Sequence, residues 1–249
     1  MSISEDEVIP RRLIRNLLWD RSYPVTLRST INKLHRSASL LEPVLYTSGE
    51  VLEILEKYPE YRETYHNFPR KIMRADMARL LILYDHGGWY FDLDIKPAQN
   101  SMDDFIRVYE HRDAVVFIEG VVRGDSRKRD PDYDGYPSIR KEGHERGFEP
   151  LEEPEVWIGN CFMGAKPGQG IIRDMLDEIV KRSIIDTEKH EDRGYNVLYL
   201  TGPNCITTAF HNNRDRYENI AVVEKEESER YFRHKMSGTW RRQMSIPWK

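Results

Sequence analysis

The stretch from Arg70 to Pro97 constrains the chain most tightly. Its first half, Arg-Lys-Ile-Met-Arg-Ala-Asp-Met-Ala-Arg-Leu-Leu-Ile-Leu-Tyr-Asp-His, is rich in good helix formers, with Met73, Met77, Leu80, Leu81 and Tyr84 at helical spacing. Gly87-Gly88 ends that helix, because glycine takes a left-handed cap conformation without strain. A strand is expected from Trp89 to Ile95. With a period of two, Trp89, Phe91, Leu93 and Ile95 form a buried apolar face, and Tyr90, Asp92 and Asp94 face the other way. The two carboxylates then lie about 7 Å apart along the strand. Pro97 stops the ladder.

Two acids on one strand face repel, and burying either charge without a partner is costly. A divalent cation resolves both problems, and hard oxygen ligands suit Mn²⁺, with Mg²⁺ as the alternative. Such a cation would hold a diphosphate and stabilise it as a leaving group. The plainer alternative is a half-exposed strand with an acidic outer face.

The flanking sequence alternates helix and strand. Residues 24 to 40 read as a helix, Val44 to Thr47 as a strand, and Ser48 as the cap of a helix from Glu50 to Lys57. Ala114–Ile118 and Val156–Ala165 read as strands, and Gly170 to Ser183 as an amphipathic helix. The expectation is an α/β fold with a mixed, mostly parallel sheet flanked by helices, in one domain covering residues 1–249. Residues 120–155, dense in Gly, Pro and both charge signs, are expected to form a mobile charged insertion over the site, or a solvated one without a role.

The net charge of −4 leaves no nucleic-acid footprint. There is no apolar run long enough for a membrane span. The first residues, Met-Ser-Ile-Ser-Glu-Asp-Glu, lack the basic start and apolar core of a signal peptide. The two cysteines, Cys161 and Cys205, sit in apolar surroundings and are expected as buried thiols rather than a disulfide framework. No Asn-x-Ser/Thr acceptor occurs. These features together lead to an expectation of the cytoplasm.

The run Arg74-Ala-Asp76-Met-Ala-Arg79, then Leu83-Tyr84, then Gly87-Gly88-Trp89-Tyr90-Phe91-Asp92-Leu93-Asp94, resembles the sugar-binding Asp-x-Asp region of glycosyltransferase family 32. That group includes fungal mannosyltransferases and capsular polysaccharide enzymes, and it is more distantly similar to the clostridial glucosylating toxins. The resemblance is dense over residues 68–97 and thinner elsewhere. It implies the GT-A type of nucleotide-sugar-binding fold, with Asp76, Arg79, Asp92 and Asp94 as catalytic residues. Asp76 and Arg79 would face the nucleotide-sugar, although an ordinary i,i+3 helical ion pair is the bland reading.

Other matches are looser. Ile9-Pro10-Arg11-Arg12 and Trp19 fit the family's opening, but Arg15 stands where a His is expected; Trp19 would stack on the nucleotide base, or be a core or rim Trp. Asn160 would hydrogen-bond the donor sugar, or be a turn residue. Leu200-Thr201-Gly202-Pro203 is similar to the family's Thr-Gly-Pro turn, which places Gly202 with Tyr90 among the donor contacts. The tail His234-Lys-Met-Ser-Gly-Thr-Trp240 resembles the family's closing His-His-x-x-Gly-Ser-Trp, with Lys235 replacing the second His. Residues 231–249 are accordingly expected as a C-terminal lid, with Trp240 over the sugar and His234 joining Asp92 and Asp94 as a metal ligand; a surface His is the alternative.

The function so implied is metal-dependent transfer of a hexosyl unit from a UDP- or GDP-linked sugar to a carbohydrate or other hydroxyl acceptor, with retention of configuration. The same acids and metal would also serve a sugar nucleotidyltransferase or phosphoesterase, and a non-catalytic sugar-nucleotide binder is a third class.

Overall fold

The computed structural model describes residues 8–18, 27–121, 156–184 and 193–235. In chain order the elements are β1 (Arg12–Asn16), α1 (Arg28–Ser37), β2 (Glu42–Tyr46), α2 (Ser48–Lys57), α3 (Pro59–Asn67), α4 (Lys71–His86), β3 (Gly88–Phe91), β4 (Ile95–Pro97), α5 (Met102–Tyr109), β5 (Ala114–Val121), β6 (Val156–Ile158), β7 (Phe162–Ala165), α6 (Gly170–Ser183), α7 (Arg193–Leu200), α8 (Pro203–Asn213), β8 (Ile220–Val223), α9 (Lys225–Tyr231) and β9 (Phe232–His234). The main sheet runs β2-β1-β3-β7-β5-β6, with β8 also paired to β5. Strands β2, β1, β3, β5 and β8 share one direction, and β7 and β6 run against them, so the sheet is mixed and mostly parallel as the sequence implies.

The period of two sorts the sheet residues cleanly. Leu13, Trp89 and Val115 pack with Leu34 of α1 and with Met102, Phe105 and Ile106 of α5 on one face. Their neighbours Ile14, Tyr90 and Val116 pack with α2, α3, α4, α6, α7 and α8 on the other. The chain thus leaves β1 over one face through α1 and returns to β3 over the opposite face through α4. That makes the gap between the carboxyl ends of β1 and β3 a topological switch point, the place where open α/β sheets bind ligands. Asn16 ends β1, and Asp92 follows β3.

Helix α4 ends as its glycines require. Gly87 has φ +63° and Gly88 φ +124°. A Cβ on Gly87 would lie 2.7 Å from Pro167, and one on Gly88 2.7 Å from Ile14 Cδ1. The tight exit brings β3 back against the helix it follows.

Several boundaries differ from the sequence reading. The Asp-x-Asp strand does not continue to Ile95. It leaves the main sheet at Asp92, whose N–H donates to the Cys161 carbonyl at 2.8 Å, and Ile95 N–H then donates to the Asp92 carbonyl at 3.2 Å, closing a turn. The reason is the partner strand: β7 begins at Phe162, opposite Phe91, so no ladder exists beyond that pair. Strand β4 instead pairs with β9 in a separate two-stranded sheet, Ile95 opposite His234. Leu93 is therefore only half-buried. Val156–Ala165 likewise divides into β6 and β7 around residues 159–161. Thr47, not Ser48, caps α2: its backbone N–H donates to Glu50 Oε2 at 2.9 Å, a capping box.

Candidate active site

Helix α4 is buried from Ala75 to Leu83, and an Asp inside that stretch is unfavourable unless its charge is matched. The match is Arg79, one turn on. Arg79 Nη2 donates to Asp76 Oδ1 at 2.6 Å, and its Nη1 lies 3.2 Å from Asp92 Oδ1. Nη1 also donates to the Asn160 carbonyl, and the guanidinium carbon lies 4.9 Å over the Tyr90 ring. A planar fork with five donors can serve all these partners at once; an ammonium cannot.

Asp76 is the hub. Its Oδ1 also accepts from Asn160 Nδ2 at 3.3 Å, and its Oδ2 accepts from Thr201 Oγ1 at 2.8 Å. One carboxylate thereby ties α4 to the β6–β7 connection and to the turn before α8. Burial lifts its carboxyl to about 7, against the pull of Arg79 and Thr201. For Arg79 burial acts downward, but Asp92, Tyr90 and Asp76 carry its pKa above the ordinary value.

Tyr90 shares the α4-facing side of β3 and completes this layer. Its hydroxyl donates to Asp92 Oδ1 at 2.8 Å and lies 3.4 Å from Asn16 Oδ1, while Asn16 Nδ2 donates to the Ala75 carbonyl at 2.8 Å. The switch point is thus bridged by hydrogen bonds. Burial raises the Asp92 pKa, opposed by Arg79, His234 and the Tyr90 hydrogen bond.

The turn at Asp92 carries the acids to the chain's far end. Asp94 is 8% exposed, and its Oδ1 lies 3.3 Å from His234 Nε2. The opposite ring nitrogen, Nδ1, lies 3.1 Å from Glu119 Oε1. Burial works against a charged His234 ring, yet hydrogen bonds with Asp94, Cys161 and Glu119 hold its pKa above 6.5. One ligand atom each from Asp92, Asp94 and His234 lie within 4.8 Å of one another. Two carboxylates and an imidazole are a donor set that fits a divalent cation. The linked group holds four carboxylates, Asp76, Asp92, Asp94 and Glu119, against two basic side chains, Arg79 and His234.

Of the residues singled out by sequence, the structure brings together Asp76, Arg79, Tyr90, Asp92, Asp94, Asn160 and His234. Gly202 stands beside them as the residue before α8, where its N–H donates to the Val197 carbonyl at 2.9 Å and a Cβ would lie 2.9 Å from Leu198 Cα. Close backbone approach explains the glycine. Trp19, Trp240 and nearly all of the 120–155 insertion lie outside the described residues, as does the expected lid beyond Lys235. Within the expected lid, Phe232–His234 is strand, anchored on β4, with Phe232 buried. The sequence reading passed over Asn16, Glu119 and the Thr201 hydroxyl. A lone acid within the apolar run Val-Val-Phe-Ile-Glu was the available signal for Glu119.

Residues 24–111 match the family model described as the glycosyltransferase sugar-binding region containing the DXD motif. The resemblance read from residues 68–97 is borne out to the extent that this stretch lies within the segment matching that sugar-binding region. Inositol phosphoceramide mannosyltransferase 1 of Schizosaccharomyces pombe is 34% identical over 95 residues, 36% of this chain and 30% of its own. Initiation-specific alpha-1,6-mannosyltransferase of the same organism is 26% identical over 149 residues, 59% of this chain and 33% of its own. The matched segments thus span about a third of these relatives' lengths. Among solved structures, PaToxG Glycosyltransferase superposes with a TM-score of 0.48 at 16% identity, over 83% of this chain and 70% of that one. Among the described residues, no helix is long and apolar enough to cross a membrane.

Proposed function

We propose that the chain is a metal-dependent glycosyltransferase that moves a hexosyl unit from a UDP- or GDP-linked sugar to a hydroxyl acceptor with retention of configuration. The observation that carries this reading is the convergence of Asp92, Asp94 and His234 at the switch point of the sheet, with Asp92 and Asp94 inside residues 24–111, which match the DXD sugar-binding region. Mannosyl transfer by the named fungal relatives makes a mannosyl donor the first to try.

In this reading Asp92, Asp94 and His234 hold Mn²⁺, or Mg²⁺ in its place. When bound, the cation supplies Lewis-acid neutralisation of the departing diphosphate. Arg79 keeps Asp92 in place and adds positive charge on the leaving side. Asp76 and Asn160 orient the sugar. As the anomeric C–O bond to the diphosphate breaks, the acceptor oxygen forms the new bond, and the acceptor proton passes to the departing phosphate oxygen. The anomeric carbon is oxocarbenium-like between the two events. No side chain of the site is an obvious nucleophile, and the Asp76 carboxylate is already engaged by Arg79, Asn160 and Thr201. That engagement favours attack by the acceptor on the face the diphosphate leaves.

Trp19 belongs to the proposal as the base-stacking residue, Tyr90 and Gly202 as donor contacts, and Trp240 as the sugar cover on a closing tail. A carbohydrate acceptor, no nucleic-acid partner and a reducing, cytoplasmic setting complete it; the two buried free thiols, Cys161 and Cys205, accord with that setting.

The test is product analysis. GDP-mannose and UDP-hexoses are incubated with the protein and Mn²⁺, and nucleotide products are separated. Free sugar with nucleoside diphosphate supports glycosyl transfer. Nucleoside monophosphate with sugar phosphate would assign the site to phosphoanhydride cleavage instead, as in a nucleotidyltransferase or phosphoesterase. Intact donor with all sugars and metals would leave a binder.

A further inference from the structure

Strand β5 carries an irregularity beside the site. Ile118 pairs with Ile158 and Gly120 pairs with Trp157, so β5 spends two steps where β6 spends one. The extra residue is Glu119. A bulge of this kind releases one residue from the ladder and re-aims its side chain, and bulges gather next to active sites for that reason. Here the re-aimed carboxylate reaches His234, with Oε1 3.1 Å from Nδ1. Its side chain is 18% exposed, so the contact is largely shielded from water.

An imidazole has two nitrogens, and a metal takes only one that carries a lone pair. Which nitrogen that is depends on the hydrogen bond made by the other. His234 presents Nε2 to Asp94 at 3.3 Å and Nδ1 to Glu119. A carboxylate behind Nδ1 keeps the proton there, leaves the Nε2 lone pair toward the aspartates, and fixes the plane of the ring. Cys161 Sγ lies within 4.8 Å of a His234 ring nitrogen, and the Cys161 carbonyl accepts from the Asp92 N–H at 2.8 Å, so the same residue stands beside both the ring and the first aspartate.

We propose that Glu119 is the positioning residue of the metal centre, holding His234 in the tautomer and orientation that let Nε2 join Asp92 and Asp94. The proposal rests on the metal-binding reading above and adds a residue to it. Glu119 acts through His234 and does not itself touch the metal.

The experiment is titration of the full chain with Mn²⁺ alone, counting free ion by its EPR signal, for the wild type, Glu119→Ala, Glu119→Gln, His234→Ala and the Glu119→Ala/His234→Ala double variant, with thermal unfolding as a check on folding. Outer carboxylates of this kind are worth about 10–100-fold in metal affinity, so Glu119→Ala weakens binding by that factor. Glu119→Gln, whose amide oxygen still accepts from Nδ1–H, recovers part of it and serves if the alanine variant does not fold. In the His234→Ala background the Glu119→Ala change adds nothing, the signature of an effect routed through the ring. Wild-type affinity in Glu119→Ala overturns the proposal. So does an undiminished loss in the double variant, which would make Glu119 a ligand in its own right. Absence of Mn²⁺ binding by the wild type would take down the metal reading itself, a result distinguishable from either.

Discussion

Arg79 and Asp92 face each other across the junction of α4 and the end of β3, Nη1 to Oδ1 at 3.2 Å, while the same guanidinium holds Asp76 at 2.6 Å. One buried cation therefore serves two carboxylates, one on its own helix and one at the proposed metal site. Removing it strands both. Arg79→Ala is expected to destabilise the fold by about 3–5 kcal/mol, the scale for breaking a buried pair and leaving its charge uncompensated. Urea unfolding measures this, and Arg79→Lys should recover only part, because an ammonium cannot fork to both acids.

Asp94→Ala behaves oppositely. Asp94 lies in the turn after β3 and is not part of either apolar cluster, so its loss opens no core cavity. The melting temperature should stay within a few degrees of the wild type, while the transfer rate falls by at least about 100-fold, roughly 2.7 kcal/mol of barrier. A variant that keeps a tenth of the rate would show that Asp94 is not a principal ligand.

The acid–base behaviour of the metal-free protein should carry the mark of Asp76. Its carboxyl titrates near 3.8 when exposed and is lifted to about 7 by burial in the fold. Between those values the folded state holds a proton that the unfolded state releases, so stability from this group is full below pH 3.8 and is lost as pH rises toward 7. Denaturant titrations in chelator across that window should show Asp76→Asn losing less stability with rising pH than the wild type. Parallel slopes would mean that Asp76 stays ionised through its bonds to Arg79 and Thr201.

Gly87→Ala tests the hinge that sets the geometry. The position has φ +63°, and a Cβ would meet Pro167 at 2.7 Å and the Ala165 carbonyl at 2.9 Å. Left-handed backbone plus that clash should cost about 2 kcal/mol or more, roughly 4–8 °C in Tm for a chain of this size. A scanning calorimetry trace reads it directly.

What the sequence made legible was local. The helix from Lys71, its Gly87-Gly88 stop, and the pairing of Asp76 with Arg79 follow from spacing within a few residues. Gly170–Ser183 emerged with the bounds its periodicity implies. What it hid depended on distant partners. Asp92–Ile95 continues the alternation of β3, yet it turns because β7 begins at Phe162 and offers no further ladder. Glu119 reaches His234 across 115 positions through a bulge that composition does not mark. Thr201 lay within a turn whose glycine drew attention, while its hydroxyl made the hydrogen bond to Asp76.

The central claim is that Asp92, Asp94 and His234 hold a divalent cation on which donor binding depends. Calorimetric titration with GDP-mannose and UDP-hexoses, in Mn²⁺ and again in excess chelator, addresses it most directly. One donor is expected to bind in Mn²⁺ and to lose that binding in chelator, and Asp94→Ala is expected not to bind it even with Mn²⁺ present. Equal donor affinity with and without the metal would contradict it.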